Sequence, residues 1–187
     1  MSDHIIYEAA FAGKKHADAQ TAACTYHYDS PLGGITLASD GKALTGLWFD
    51  RQKRFAGTLL TEHEKKRIPV FDETVKWLDI YFGGKAPDFL PDLRIITTPF
   101  GKAVCEIMLN IPYGKTMSYG QIAARIKEQN GLNAMSAQAV GGAVGRNPIA
   151  LIIPCHRVVG ANGSMTGYGG GIDRKIALLK MEGIAHI

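Results

Sequence analysis

The chain has 187 residues, 46% of them hydrophobic, and 21 Lys+Arg against 17 Asp+Glu give a net charge of +4. That length buries a core large enough to fold without disulfide staples and suits one large domain or two small ones. The three cysteines, Cys24, Cys105 and Cys155, are too few and too irregularly spaced for a disulfide framework, and the longest apolar run, 149–153, is too short to cross a bilayer.

The first residues lack the basic and apolar regions of a signal peptide, so the protein is expected to be cytoplasmic, with no membrane partner. Residues 1–20 show no clear pattern and are expected to form a flexible tail. Three runs, 24–29, 34–40 and 43–50, are β-rich and separated by turn residues such as Pro31, Gly33, Asp40 and Gly41, which predicts an antiparallel meander. Asp72 reads as the cap of a helix over DETVKWLDIYF, with Val75, Leu78 and Tyr81 at helical spacing. Residues 82–93 contain two glycines and two prolines, the composition of a connector, so domains of 1–95 and 96–187 are expected. Charge divides near the same place. Residues 1–97 hold 12 basic and 13 acidic side chains, whereas residues 98–187 hold 9 and 4, a net of +5. The asymmetry suits a polyanion-binding second domain, and a randomly uneven surface explains the count equally well.

Downstream the pattern is helical. Thr98 is a good N-cap with Pro99 at the first helical position, and Phe100, Val104, Ile107, Met108 and Ile111 follow at core spacing. Ser118 and Gln121 have the spacing of a capping box, predicting a helix through Ile126, and a loop over 127–133 leads to a third helix near Asn133. That third segment is almost entirely Ala, Gly, Ser and Val. Each helical glycine costs about 1 kcal/mol relative to alanine, so Gly141 and Gly142 imply a close approach by something, either another helix or a nucleic-acid groove. An apolar, strand-like run then ends at Pro154 and delivers Cys155, His156 and Arg157 in succession. A reactive thiol needs a base or cations nearby, which Cys155 has and Cys24 and Cys105 lack in sequence. Adjacent residues of a strand face opposite ways, so a bridging water or a turn at Pro154 is needed to couple Cys155 to His156. Cys24 and His27 have metal-like spacing without a second ligand pair. On these residues alone a DNA-binding regulator and a cysteine hydrolase stay open.

PYGKTMSYGQIA (112–123), AVGGAVGRNP (139–148), IPCHRVVG (153–160) and GYGGGIDRKIALLKMEG (167–183) resemble the methylated-DNA–protein cysteine methyltransferases, in order and over nearly all of 98–187. The resemblance implies an α+β protein of two domains. The N-terminal one would be ribonuclease H-like α/β, and the C-terminal one helical, with a winged-helix-like helix-turn-helix. It implies that Cys155 accepts the alkyl group from O6 of a flipped guanine, once per molecule. His156 would act as base through a water, Glu182 would orient it, and Tyr119 would donate toward N3 of the leaving guanine. The Val158 carbonyl would hold the exocyclic amine, the Gly169 N–H would face O6, Tyr168 would line the pocket, and Asn147 would tie the recognition helix to the active-site strand. Gln138, Ala139, Gly142, Ala143, Arg146 and Arg157 would face the DNA. The implied partner is double-stranded DNA bound through the minor groove by a monomer, with no cofactor and no metal. Gln138 stands where many members have arginine, and Gly169 where some have a side chain.

Overall fold

The computed structural model describes residues 22–184 and divides into two compact units, 1–96 and 97–187. The expected tail, 1–20, lies outside the described residues.

In the first unit, β1 (Ala22–Ser30), β2 (Gly33–Ser39) and β3 (Leu44–Phe49) form the antiparallel meander that the turn residues predict. A fourth strand, β4 (Leu59–Lys65), pairs parallel with β1 and completes the order β3-β2-β1-β4. Its mostly exposed LLTEHEK sequence has no apolar alternation, so the sequence reading passes over it. Helix α1 spans Pro69–Phe82. It starts earlier than expected because Pro69 takes the first helical position; Asp72 is not the cap but sits in the first turn, paired with Arg67. The core joins Ile35, Leu37, Leu47 and Phe49 of the sheet with Phe71, Leu78 and Tyr81 of the helix. Residues 92–94 run along the edge of β3, with Leu44 N–H on the Asp92 carbonyl and Arg94 N–H on the Leu44 carbonyl.

The second unit begins with α2 (Pro99–Leu109), capped by the Thr98 hydroxyl on Gly101 N–H at 3.1 Å. Strand β5 (Met117–Ser118) leads into α3 (Tyr119–Gln129), whose capping box between Ser118 and Gln121 is complete. Helix α4 (Ala137–Val144) starts later than predicted, because Ser136 is the residue whose hydroxyl accepts the first helical N–H groups. Val104, Ile107 and Met108 of α2, Ile122 and Ile126 of α3, and Val140 and Val144 of α4 form the buried core of these helices. The apolar run 149–153 is not a strand. It folds as turns, with Leu151 at φ +68, and Asn147 braces it: Nδ2 donates to the Ile153 carbonyl at 2.7 Å while Oδ1 accepts Ile149 N–H at 3.0 Å. A single 3-10 turn, Cys155–Arg157, follows, then β6 (Val158–Val159), parallel to β5, and finally α5 (Ile172–Met181).

Candidate active site

Pro154 opens the 3-10 turn and Asn147 holds the residue before it, so the thiol is delivered by a braced turn. Cys155 is 7% exposed. Burial pushes its thiol up; the Asn147 side-chain hydrogen bond and the charge of Lys175 pull the other way without prevailing. The resting sulfur is therefore protonated and needs a base to become a nucleophile.

The next residue is a histidine held by a carboxylate. His156 is wholly buried, and its Nε2 lies 2.7 Å from Oε1 of Glu182. Burial lowers the imidazole pKa, with the Glu182 hydrogen bond opposing it. A neutral ring facing a carboxylate through Nε2 carries its hydrogen there, which leaves Nδ1 as the basic nitrogen. Glu182 is held ionised: burial alone would raise its pKa, but hydrogen bonding and charge from His156, then Arg157, bring it down to about 2. Its carboxylate also accepts Gly114 N–H at 3.1 Å, so the PYG motif contributes backbone to the site.

Arg157 requires a correction. Expected on the DNA face, it is buried: Nε lies 2.9 Å from Oε2 of Glu182, Nη2 3.1 Å from Oε1, and Nη1 donates to the Ile111 carbonyl at 2.6 Å. A guanidinium fork spent on a buried carboxylate is not available to phosphate. Ala143 is corrected likewise; it follows Val140 by one helical spacing, shares its core-facing side and is buried. Gln138, Ala139 and Arg146 are exposed, Gly142 is half-buried, and Arg146 Nη1 rests on the Gly142 carbonyl at 3.1 Å.

Tyr119, at the start of α3, places its hydroxyl on the carbonyls of Thr166 and Gly167 at 3.2 and 3.3 Å. Burial raises its pKa, and the charge of Cys155 adds to the rise. An open groove of about 410 Å³ runs past it, lined by Ser118, Gly120, Ala137, Gln138, Gly141 and Ala161 as well. A Cβ on Gly141 would touch the Tyr119 ring only at 3.8 Å, an ordinary contact, so packing within the chain does not demand that glycine. The Tyr168 hydroxyl is buried with no hydrogen-bond partner among the described residues, and burial, then the charge of Cys155, puts its pKa well above 10.0. Gly169 beside it is half-buried.

The sequence reading missed Lys175. It lies on the apolar face of α5, three residues before Leu178, and is wholly buried with Nζ on the Val158 carbonyl at 2.6 Å and the Thr166 carbonyl at 3.0 Å. A lysine in register with the apolar positions of an amphipathic helix was the available signal.

The described residues thus make a protein of two units, the helical one carrying a buried thiol that is followed directly in the chain by an imidazole–carboxylate pair. Residues 24–94 match the family model described as 6-O-methylguanine DNA methyltransferase, ribonuclease-like domain, and residues 99–184 match the DNA binding domain of the same name. The methylated-DNA–protein-cysteine methyltransferase of Mycobacterium leprae is 43% identical over 160 residues, covering 82% of this chain and 88% of that protein. Its namesake in Haemophilus influenzae is 36% identical over 169 residues, covering 89% and 90%. The crystal structure of Mycobacterium tuberculosis OGT in complex with DNA superposes with a TM-score of 0.72 at 43% identity, covering 85% of this chain and 92% of that one. The chain belongs to the methylated-DNA–protein-cysteine methyltransferase family.

Proposed function

We propose that this protein repairs DNA by direct reversal, moving the alkyl group from O6 of a flipped guanine onto Cys155 in a single turnover. The observation that carries the reading is the buried Cys155 followed at once by a histidine that a carboxylate holds at 2.7 Å. The sulfur attacks the alkyl carbon and forms a thioether while the carbon–O6 bond breaks. The thiol proton passes through a water to Nδ1 of His156, and the departing guanine takes up a proton. Tyr119 supplies it by exchanging its two long carbonyl contacts for N3 of the base. The Val158 carbonyl receives the exocyclic amine, the Gly169 N–H faces O6, and Tyr168 walls the pocket. Nothing in this site hydrolyses a thioether, so each molecule acts once.

The DNA lies in its minor groove against α4, where Gln138, Ala139, Gly142 and Arg146 meet it and small side chains admit the backbone closely. A surface that reads phosphates and shape suits lesions scattered through any sequence. Flipping costs a few kcal/mol and exposes O6 for in-line attack. Residues 96–187 form the alkyltransferase domain and 1–95 the α/β domain, in a cytoplasmic monomer. Among the described residues no helix is long and apolar enough to cross a membrane.

The test uses duplex DNA with a radiolabelled O6-methylguanine. Label moves to Cys155, stops at one per chain, and never moves in Cys155→Ala. Continued turnover, or label on another residue, refutes the reading.

A further inference from the structure

Lys175 has no place in the chemistry above, yet the fold makes a costly accommodation for it. An ammonium in the interior is tolerated only where other acceptors replace its water. Its neighbours along α5, Leu178 and Leu179, are wholly buried, so an apolar residue would serve packing at this position without that cost. Burial lowers the pKa of the amine to about 8, a fall that an ionised Cys155 would oppose.

The two acceptors that it has found matter. One is the Val158 carbonyl at 2.6 Å; the other is the Thr166 carbonyl at 3.0 Å, which also accepts the Tyr119 hydroxyl at 3.2 Å. One ammonium therefore links α5 to β6 and to the loop on which Tyr119 rests. A carbonyl oxygen has two lone pairs, and with one taken by Lys175 the direction of the other is fixed. We infer that Lys175 is a positioning residue for guanine recognition, its ammonium orienting the Val158 carbonyl toward the exocyclic amine of the flipped base and setting the resting place of Tyr119. The inference rests on the proposed role of Val158.

The experiment compares single-turnover methyl transfer from duplexes carrying O6-methylguanine or O6-methylhypoxanthine, which lacks the exocyclic amine. Full-length wild type is measured beside Lys175→Met and Lys175→Gln, each shown to be folded by a cooperative urea transition. Wild type is expected to lose roughly tenfold in rate when the amine is absent, the scale of one recognition hydrogen bond. In Lys175→Met the methylguanine rate falls while the ratio between the two substrates shrinks to about twofold or less, the signature of energetic coupling between side chain and amine. Lys175→Gln keeps an N–H donor and gives an intermediate ratio; should the methionine variant not fold, a shrunken ratio in Lys175→Gln decides the matter alone. A slower variant with the wild-type ratio overturns the inference, because a residue that only supports the fold or acts on the thiol slows both substrates alike. A wild type indifferent to the amine overturns the role of Val158 and this inference together.

Discussion

Arg157 and Glu182, 25 residues apart in the chain, meet as a guanidinium and a carboxylate in the interior, with Nε 2.9 Å from Oε2 and Nη2 3.1 Å from Oε1. A residue that the family resemblance assigns to the DNA surface thereby holds the carboxylate that faces Nε2 of His156.

Arg157→Met leaves that carboxylate buried with one partner fewer, which is expected to cost about 3–5 kcal/mol of stability. Urea unfolding measures it. The salt dependence of DNA binding stays at the wild-type slope, whereas Arg146→Ala, which removes an exposed cation, lowers that slope by about one. A reduced slope in Arg157→Met would return this residue to the DNA face.

Acid is expected to destabilise the protein in two stages. The His156 pKa lies below 6.5 in the folded state, so the unfolded chain takes the proton first, and stability begins to fall as pH drops below 6.5. Glu182 is lowered from 4.5 to about 2, so its contribution is complete above pH 4.5 and is lost as pH falls from there toward 2. In urea titrations at a series of pH values, Glu182→Gln has lower stability at neutral pH and a flatter acid limb. An acid limb identical to wild type would contradict the assignment.

Gly141→Ala separates folding from binding. The added methyl meets only the Tyr119 ring at 3.8 Å, and alanine favours the helix, so the variant is expected to gain about 0.5–1 kcal/mol of stability. The same methyl stands in the groove side of α4, so affinity for duplex DNA drops. Thermal melts and a binding titration on one preparation provide both numbers; a variant more stable and equally tight would remove Gly141 from the interface.

Gln138 is exposed in the first turn of α4 and lines the groove. It can hydrogen-bond the base orphaned by flipping but carries no charge to attract phosphate. Gln138→Arg is expected to raise single-turnover repair of duplex DNA several-fold, as one added phosphate contact would, and to change its salt dependence while the reaction with free O6-benzylguanine stays the same. Unchanged duplex kinetics would show that glutamine suffices.

Local features were readable and distant ones were not. Thr98–Pro99 and Ser118/Gln121 define helix starts by chemistry within four residues, and both appear as expected. The 149–153 run defeated periodicity, since an apolar segment reads as a strand unless one knows that Asn147 reaches across to Ile153 and that Leu151 adopts φ +68. β4 is stabilised by pairing with β1 rather than by its own pattern. Family motifs single out Cys155, His156 and Glu182, of which the structure brings the last two within 2.7 Å, but the burial of Arg157 and Lys175 depends on partners many residues away.

Glu182 lies 26 residues after His156 in the chain. A chain lacking Glu182 would leave the buried His156 without its carboxylate and the buried Arg157 without its ion-pair partner, so one residue just past the end of α5 offsets the burial of two others.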